Sequence, residues 1–117
     1  MSQTARFQET LRRLVIFDEG FARAGFGPDL GQTSALDAKT AALLQVAVSV
    51  AIGSSAVCLQ WSTGRALAAG ATKDEIADVL LAIVPVAGLG RIVSAAPAVA
   101  TALEYDVEAA LEESHDH

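Results

Sequence analysis

Cys58 is the single cysteine of a 117-residue chain. It stands in the run Ser55-x-x-Cys58-x-x-x-Ser62-x-x-Arg65, whose spacings of three and four put all four side chains on one helical face. A thiol near the first turn of a helix gains from the helix dipole, which favours the thiolate. Two turns on, Arg65 supplies a cation able to hold an anionic substrate. Cys58 and Ser62 are the candidate catalytic residues, and Ser55, Trp61, Arg65 and Arg91 the candidate substrate-binding residues. The opposing reading uses the same residues: a small, buried and inert cysteine, serines bonded to their own helix backbone, and an arginine paired with a carboxylate.

Trp61, the only tryptophan, either walls a pocket or anchors an interface. Arg91 follows Gly88-Leu89-Gly90, where the backbone allows close approach. It either faces a pocket or pairs with Glu75 or Asp78 of another subunit. Gly-Leu-Gly is not a phosphate loop, since no strand precedes it and no further glycine follows at the needed spacing. His115 and His117 flank Asp116 in a polar tail, too few ligands for a metal centre. No metal and no cofactor is expected.

The elements that must position these residues are constrained by composition. The chain is 52% hydrophobic and 19% charged, more apolar surface than so short a chain hides alone. A membrane or a partner subunit must cover it. Between Lys39 and Arg65 no charge occurs, a span longer than the roughly 20 residues that cross a bilayer. Gln45, Ser49, Ser54, Ser55 and Gln60 interrupt it, and Gly53-Ser54-Ser55 reads as a helix stop and a cap. We therefore expect a homo-oligomer and no membrane insertion. A net charge of −6, with no basic cluster beyond Arg12-Arg13, argues against nucleic acid. No signal peptide is read at the N-terminus, and a lone cysteine cannot form an internal disulfide, so a cytoplasmic setting is expected.

The pattern is all-α, one domain of five to six helices. The first is expected from about Ala5 to Ala24, with Phe7, Leu11, Leu14, Val15 and Phe21 as its apolar stripe. Gly25 to Thr33 is a loop. A second helix starts near Asp37, a good N-cap, and ends at about Ile52. It is apolar nearly all round and so is expected to be buried on all sides, partly by another subunit. A third runs from about Ala56 to Ala69 behind Ser54 or Ser55, and Gly70 stops it. Thr72 and Glu75 form a capping box for a fourth, in which Pro85 predicts a kink or an early end. A fifth spans about Arg91 to Leu103, and Asp106 caps a short acidic last helix. The tail 114–117 is expected to be disordered.

The run from Cys58 to Gly88, with its Gly70-Ala71-Thr72 corner and Asp74-Glu75-Ile76 helix start, resembles the carboxymuconolactone decarboxylase and alkylhydroperoxidase D-like family. The resemblance covers about Leu36 to Thr101 and leaves the first helix outside. It implies a helical-hairpin core assembling as trimers or hexamers, and in relatives either decarboxylation of a carboxylated muconolactone or thiol peroxide chemistry. It also implies a Cys-x-x-Cys-x-x-x-His relay with an upstream glutamate. Here those positions hold Ser55, Cys58, Ser62 and, at about the glutamate position, Leu43.

A two-thiol peroxidase needs a resolving thiol and a base. With both positions changed, the first expectation is an oligomeric protein that is structural or binds a small anionic metabolite. The second is a lyase that orients a carboxylate with Arg65 and Arg91, Ser55 and Ser62 being hydroxyl donors. The third is a one-cysteine peroxidase using Cys58.

Overall fold

The computed structural model describes residues 6–23 and 35–115. Among them lie α1 (Arg6–Val15), α2 (Glu19–Arg23), α3 (Ala38–Ala51), α4 (Ala56–Ala68), α5 (Lys73–Ala87), α6 (Leu89–Ala102) and α7 (Val107–His115), and no strand. The all-α expectation holds. The expected loop at 25–33 lies outside the described residues.

Four of these helices stop by one backbone device. A residue in the left-handed region donates its N–H three residues back, and the next residue donates five back, which satisfies carbonyls the helix end leaves open. After α3 the turning residue is Gly53 (φ 74), with Gly53 N–H to Val50 O at 3.1 Å and Ser54 N–H to Ser49 O at 3.0 Å. After α4 it is Gly70 (φ 100), with Ala71 N–H reaching Ala66 O at 2.9 Å. The other two turns use residues that pay a steric cost for this conformation. Phe17 (φ 56) ends α1, and Glu104 (φ 61) ends α6.

The first helix is accordingly shorter than the sequence predicts. Phe17 N–H bonds Leu14 O at 3.1 Å and Asp18 N–H bonds Arg13 O at 2.9 Å, which closes α1 before α2 begins. Phenylalanine carries no left-handed preference, so the apolar periodicity alone runs straight through the break. At the other end, α7 extends to His115. Ser114 and His115 are thus helical where a disordered tail is expected, and 116–117 lie outside the described residues.

The chain divides into two compact units, Met1–Asp37 and Ala38–His117. In the second, α3 packs on α4 and α5, and α4 packs on α6. The core mixes alanine and valine with a few larger side chains: Ala42, Val46 and Val50 of α3, Leu59 and Ala66 of α4, Ile76 and Leu80 of α5, and Ile92, Ala95, Ala98 and Val99 of α6. Small side chains let helices approach closely, but they bury little area each. Leu44 and Val48 of α3 and Ile52 just past its end, at i, i+4 and i+8, stay at least half exposed. The burial of α3 on all sides that its composition predicts is therefore not reached within one chain.

The capping box of α5 forms as predicted. Glu75 N–H bonds Thr72 Oγ1 at 3.0 Å, and Thr72 N–H bonds Glu75 Oε1 at 2.9 Å. The second oxygen of Glu75 meets Lys39 Nζ of α3 at 2.9 Å, so one carboxylate caps α5 and ties it to α3. The Thr72 N–H, followed by Lys39, holds the Glu75 carboxyl below its ordinary pKa. Pro85 does not end α5, which continues to Ala87. Gly88, at φ 89, makes the joint, and α6 begins at Leu89, so Arg91 lies in its first turn.

Candidate functional site

The α3–α4 corner sets where the candidate residues fall. Gly53 turns the chain, and Ser55, in extended conformation (φ −64, ψ 161), is the N-cap of α4. Its Oγ accepts the N–H of Cys58 at 3.4 Å. Ser55, not Ser54, is thus the cap, and its hydroxyl serves the helix backbone, as a small polar N-cap does. Cys58 follows in the first turn and is exposed. The inert, buried cysteine of the opposing reading is not what this single chain presents.

The four-residue stripe divides across the core boundary. Leu59, Ser62, Thr63 and Ala66 form the inward face of α4. Ser62, at 7% exposure, turns inward and shares a hydrogen bond of 3.1 Å with Ser49 Oγ of α3. Thr63 beside it is fully buried and donates to Leu59 O at 2.8 Å. Every buried side-chain polar atom among the described residues has a partner. Cys58 and Arg65 instead sit at the solvent edge of the same helix. Among the described residues the Cys58 sulfur has neither a hydrogen bond to a base nor a cation paired to it.

Trp61 and Arg65 are one turn apart and meet each other. The Arg65 guanidinium carbon lies 4.9 Å from the centroid of the Trp61 ring, within range of a cation–π contact. Trp61 remains 62% exposed, so within one chain it closes no pocket.

Arg91 is placed differently from both. Its guanidinium reaches back from the first turn of α6 to lie on Gly53, filling the space a Cβ there would take. No ion pair to Arg91 occurs among the described residues, so the pairing with Glu75 or Asp78 is not made within the chain. Glu75 is already held by Lys39. A cation thus stands against the corner two residues before Ser55. No sequence pattern links Gly53 with Arg91, and only the packing of α6 across the α3–α4 hairpin brings them together.

Leu43, at the position where the resemblance implies a glutamate, is half-buried and packs against the apolar core. Among the described residues there is no group of three or more histidine, cysteine, aspartate or glutamate side chains able to hold a metal. None of their helices is long and apolar enough to cross a membrane.

A family model for the carboxymuconolactone decarboxylase family matches residues 17–101. The match begins earlier than the Leu36 expected from sequence and takes in α2, while α1 stays outside it. No curated protein gave a significant match, and no solved structure did either.

Proposed function

The chain belongs to the carboxymuconolactone decarboxylase family, and we propose that it is a self-assembling member that binds a small anion or serves a structural role, without a two-thiol cycle. The observation that carries this reading is the lock between Ser62 and Ser49. The position where the resemblance implies a histidine base holds a buried hydroxyl already bonded at 3.1 Å. With an apolar Leu43 packed against the core and Ser55 engaged as a cap, no group near Cys58 is set to move a proton.

Arg91 supports the anion. Its guanidinium rests on Gly53 without a carboxylate partner among the described residues, beside the capped start of α4. A trimer or hexamer is the assembly we infer, on the exposed apolar stripe of α3 and on Trp61. A reducing compartment such as the cytoplasm suits the free thiol of Cys58.

The test is a comparison of turnover with binding. Neither peroxide, supplied with a dithiol reductant, nor a carboxymuconolactone should be consumed above the uncatalysed rate. Succinate, as a small dicarboxylate probe, should bind saturably by calorimetry. Turnover of the lactone overturns the reading in favour of the lyase that the family's name describes.

The exposure of Cys58 favours a second reading, a one-cysteine peroxidase. Its thiolate would attack the O–O bond of a hydroperoxide, giving a sulfenic acid and an alcohol. Two equivalents of an external thiol would then restore the thiolate, releasing water and a disulfide of the external thiol. Peroxide-dependent sulfenic acid at Cys58, reduced catalytically by a monothiol, would establish this second reading.

A further inference from the structure

Two exposed apolar surfaces, one in each unit, match each other in length and charge. The first is α1. Phe7, Leu11, Leu14 and Val15 stand at i, i+4, i+7 and i+8, each more than half exposed, and no residue of α1 is buried. The rest of the helix is polar, with Glu9 bridging Arg12 at 2.8 Å and Arg13 at 3.0 Å. A narrow apolar stripe with this spacing is the signature of a helix that anchors in a groove.

The second surface is an open groove of about 650 Å³ between α5 and α6. Its floor is the buried edge of Leu80, Ile92 and Val99, and its walls are Ala77, Ala96 and Ala100. Alanine walls leave room for large side chains entering from outside. From Ile92 to Leu103 the groove follows α6 for about 16 Å at 1.5 Å per residue, and the ten residues of α1 measure about 15 Å.

Charge selects the occupant. The α1 segment has three arginines and one glutamate, a net +2. The groove rim holds Asp74 and Glu104 beside Lys73, and residues 38–117 as a whole carry nine acidic against four basic side chains. An acidic body is repelled by an anionic bilayer, which disfavours α1 as a lipid anchor. A groove with an acidic rim on a like molecule attracts it.

We propose that α1 of one copy docks its Phe7–Leu11–Leu14–Val15 face into the α5–α6 groove of a second copy. The inference rests on the self-assembly proposed above and adds the surfaces that make it. Leu11→Asp/Leu14→Asp removes the arm. Ala77→Arg/Ala96→Arg, at two exposed wall positions, blocks the groove with like charge. Circular dichroism should show both variants as helical as the parent chain.

The parent chain should be oligomeric by light scattering at micromolar concentration. Each variant alone should fall to a smaller species, with self-affinity weakened at least about a hundredfold, as loss of central apolar anchors does. Mixing the two variants, one with an intact groove and the other with an intact arm, should restore a 1:1 heterodimer in native mass spectrometry. A parent chain that is monomeric removes the assembly reading and this proposal together. A parent oligomer that both variants retain removes the proposal alone. Variants that dissociate yet form no heterodimer on mixing overturn the exchange between copies. Flotation of the parent chain, but not of Leu11→Asp/Leu14→Asp, with phosphatidylglycerol vesicles would assign α1 to a lipid surface and overturn it too.

Discussion

The guanidinium of Arg91 occupies the space where a side chain at Gly53 would begin. Two separate demands therefore converge on Gly53: a left-handed backbone at φ 74 and room for a cation from α6. Gly53→Ala should destabilise the fold by about 1–2 kcal/mol, chiefly through the backbone, since a flexible arginine end can move aside. Gly53→Asn, which tolerates this conformation, should cost less by the same argument. Denaturant unfolding of both variants checks the order. Equal stability of parent and alanine variant would mean that the corner is not held in this conformation.

Arg65 and Arg91 should separate cleanly. Arg65 lies over an exposed Trp61, so Arg65→Ala should cost no more than about 1 kcal/mol and leave succinate binding unchanged. Arg91→Ala should leave folding and assembly nearly intact and abolish succinate binding, because no carboxylate among the described residues holds it. Binding lost in Arg65→Ala and kept in Arg91→Ala would move the anion to the Trp61 side of α4.

Ser55→Cys rebuilds a Cys-x-x-Cys at the start of α4 but removes its cap. We expect a loss of about 1 kcal/mol from the missing Oγ acceptor. We expect negligible peroxide turnover with a dithiol, since Ser62 faces inward toward Ser49 and provides no base. Robust turnover by this single variant would show that the proton relay is not needed.

Glu75 joins the capping box to Lys39, and its carboxyl is held below its ordinary value by Thr72 and then Lys39. Glu9, bonded by Arg12 and then Arg13, is lowered further, to about 2. A depressed folded pKa means that the unfolded chain binds the proton first. Each group's stabilisation is thus complete above the ordinary carboxyl value of 4.5 and is lost as pH falls through the folded value. Melting temperature should therefore fall as pH drops below about that value, and Glu75→Gln should flatten part of the slope. Thr72→Ala should cost about 1 kcal/mol at neutral pH.

Glu104 closes α6 at φ 61, a place where glycine carries no steric penalty. Glu104→Gly should raise stability by a few tenths to about 1 kcal/mol, after allowing for the extra freedom of glycine in the unfolded chain. Chemical unfolding measures it directly, and a lower stability would point to a packing role for the glutamate side chain.

The helical class, the family and most helix ends can be read from residue types and their spacing. Gly53, Gly70 and the Thr72–Glu75 box are local signals, because a backbone conformation or a reciprocal hydrogen bond within four residues depends on residue type alone. The stop at Phe17 carries no such signal; the end of α6 near Leu103 is legible, but not the costly left-handed Glu104 that makes it. The stripe Ser55–Cys58–Ser62–Arg65 was legible as a spacing, but not the division within it. The placement of α3 decided that Ser62 turns to Ser49 while Cys58 stays in solvent. Only tertiary packing brought Arg91 onto Gly53, 38 positions apart in the sequence, because periodicity fixes which face a residue occupies and not what crosses that face.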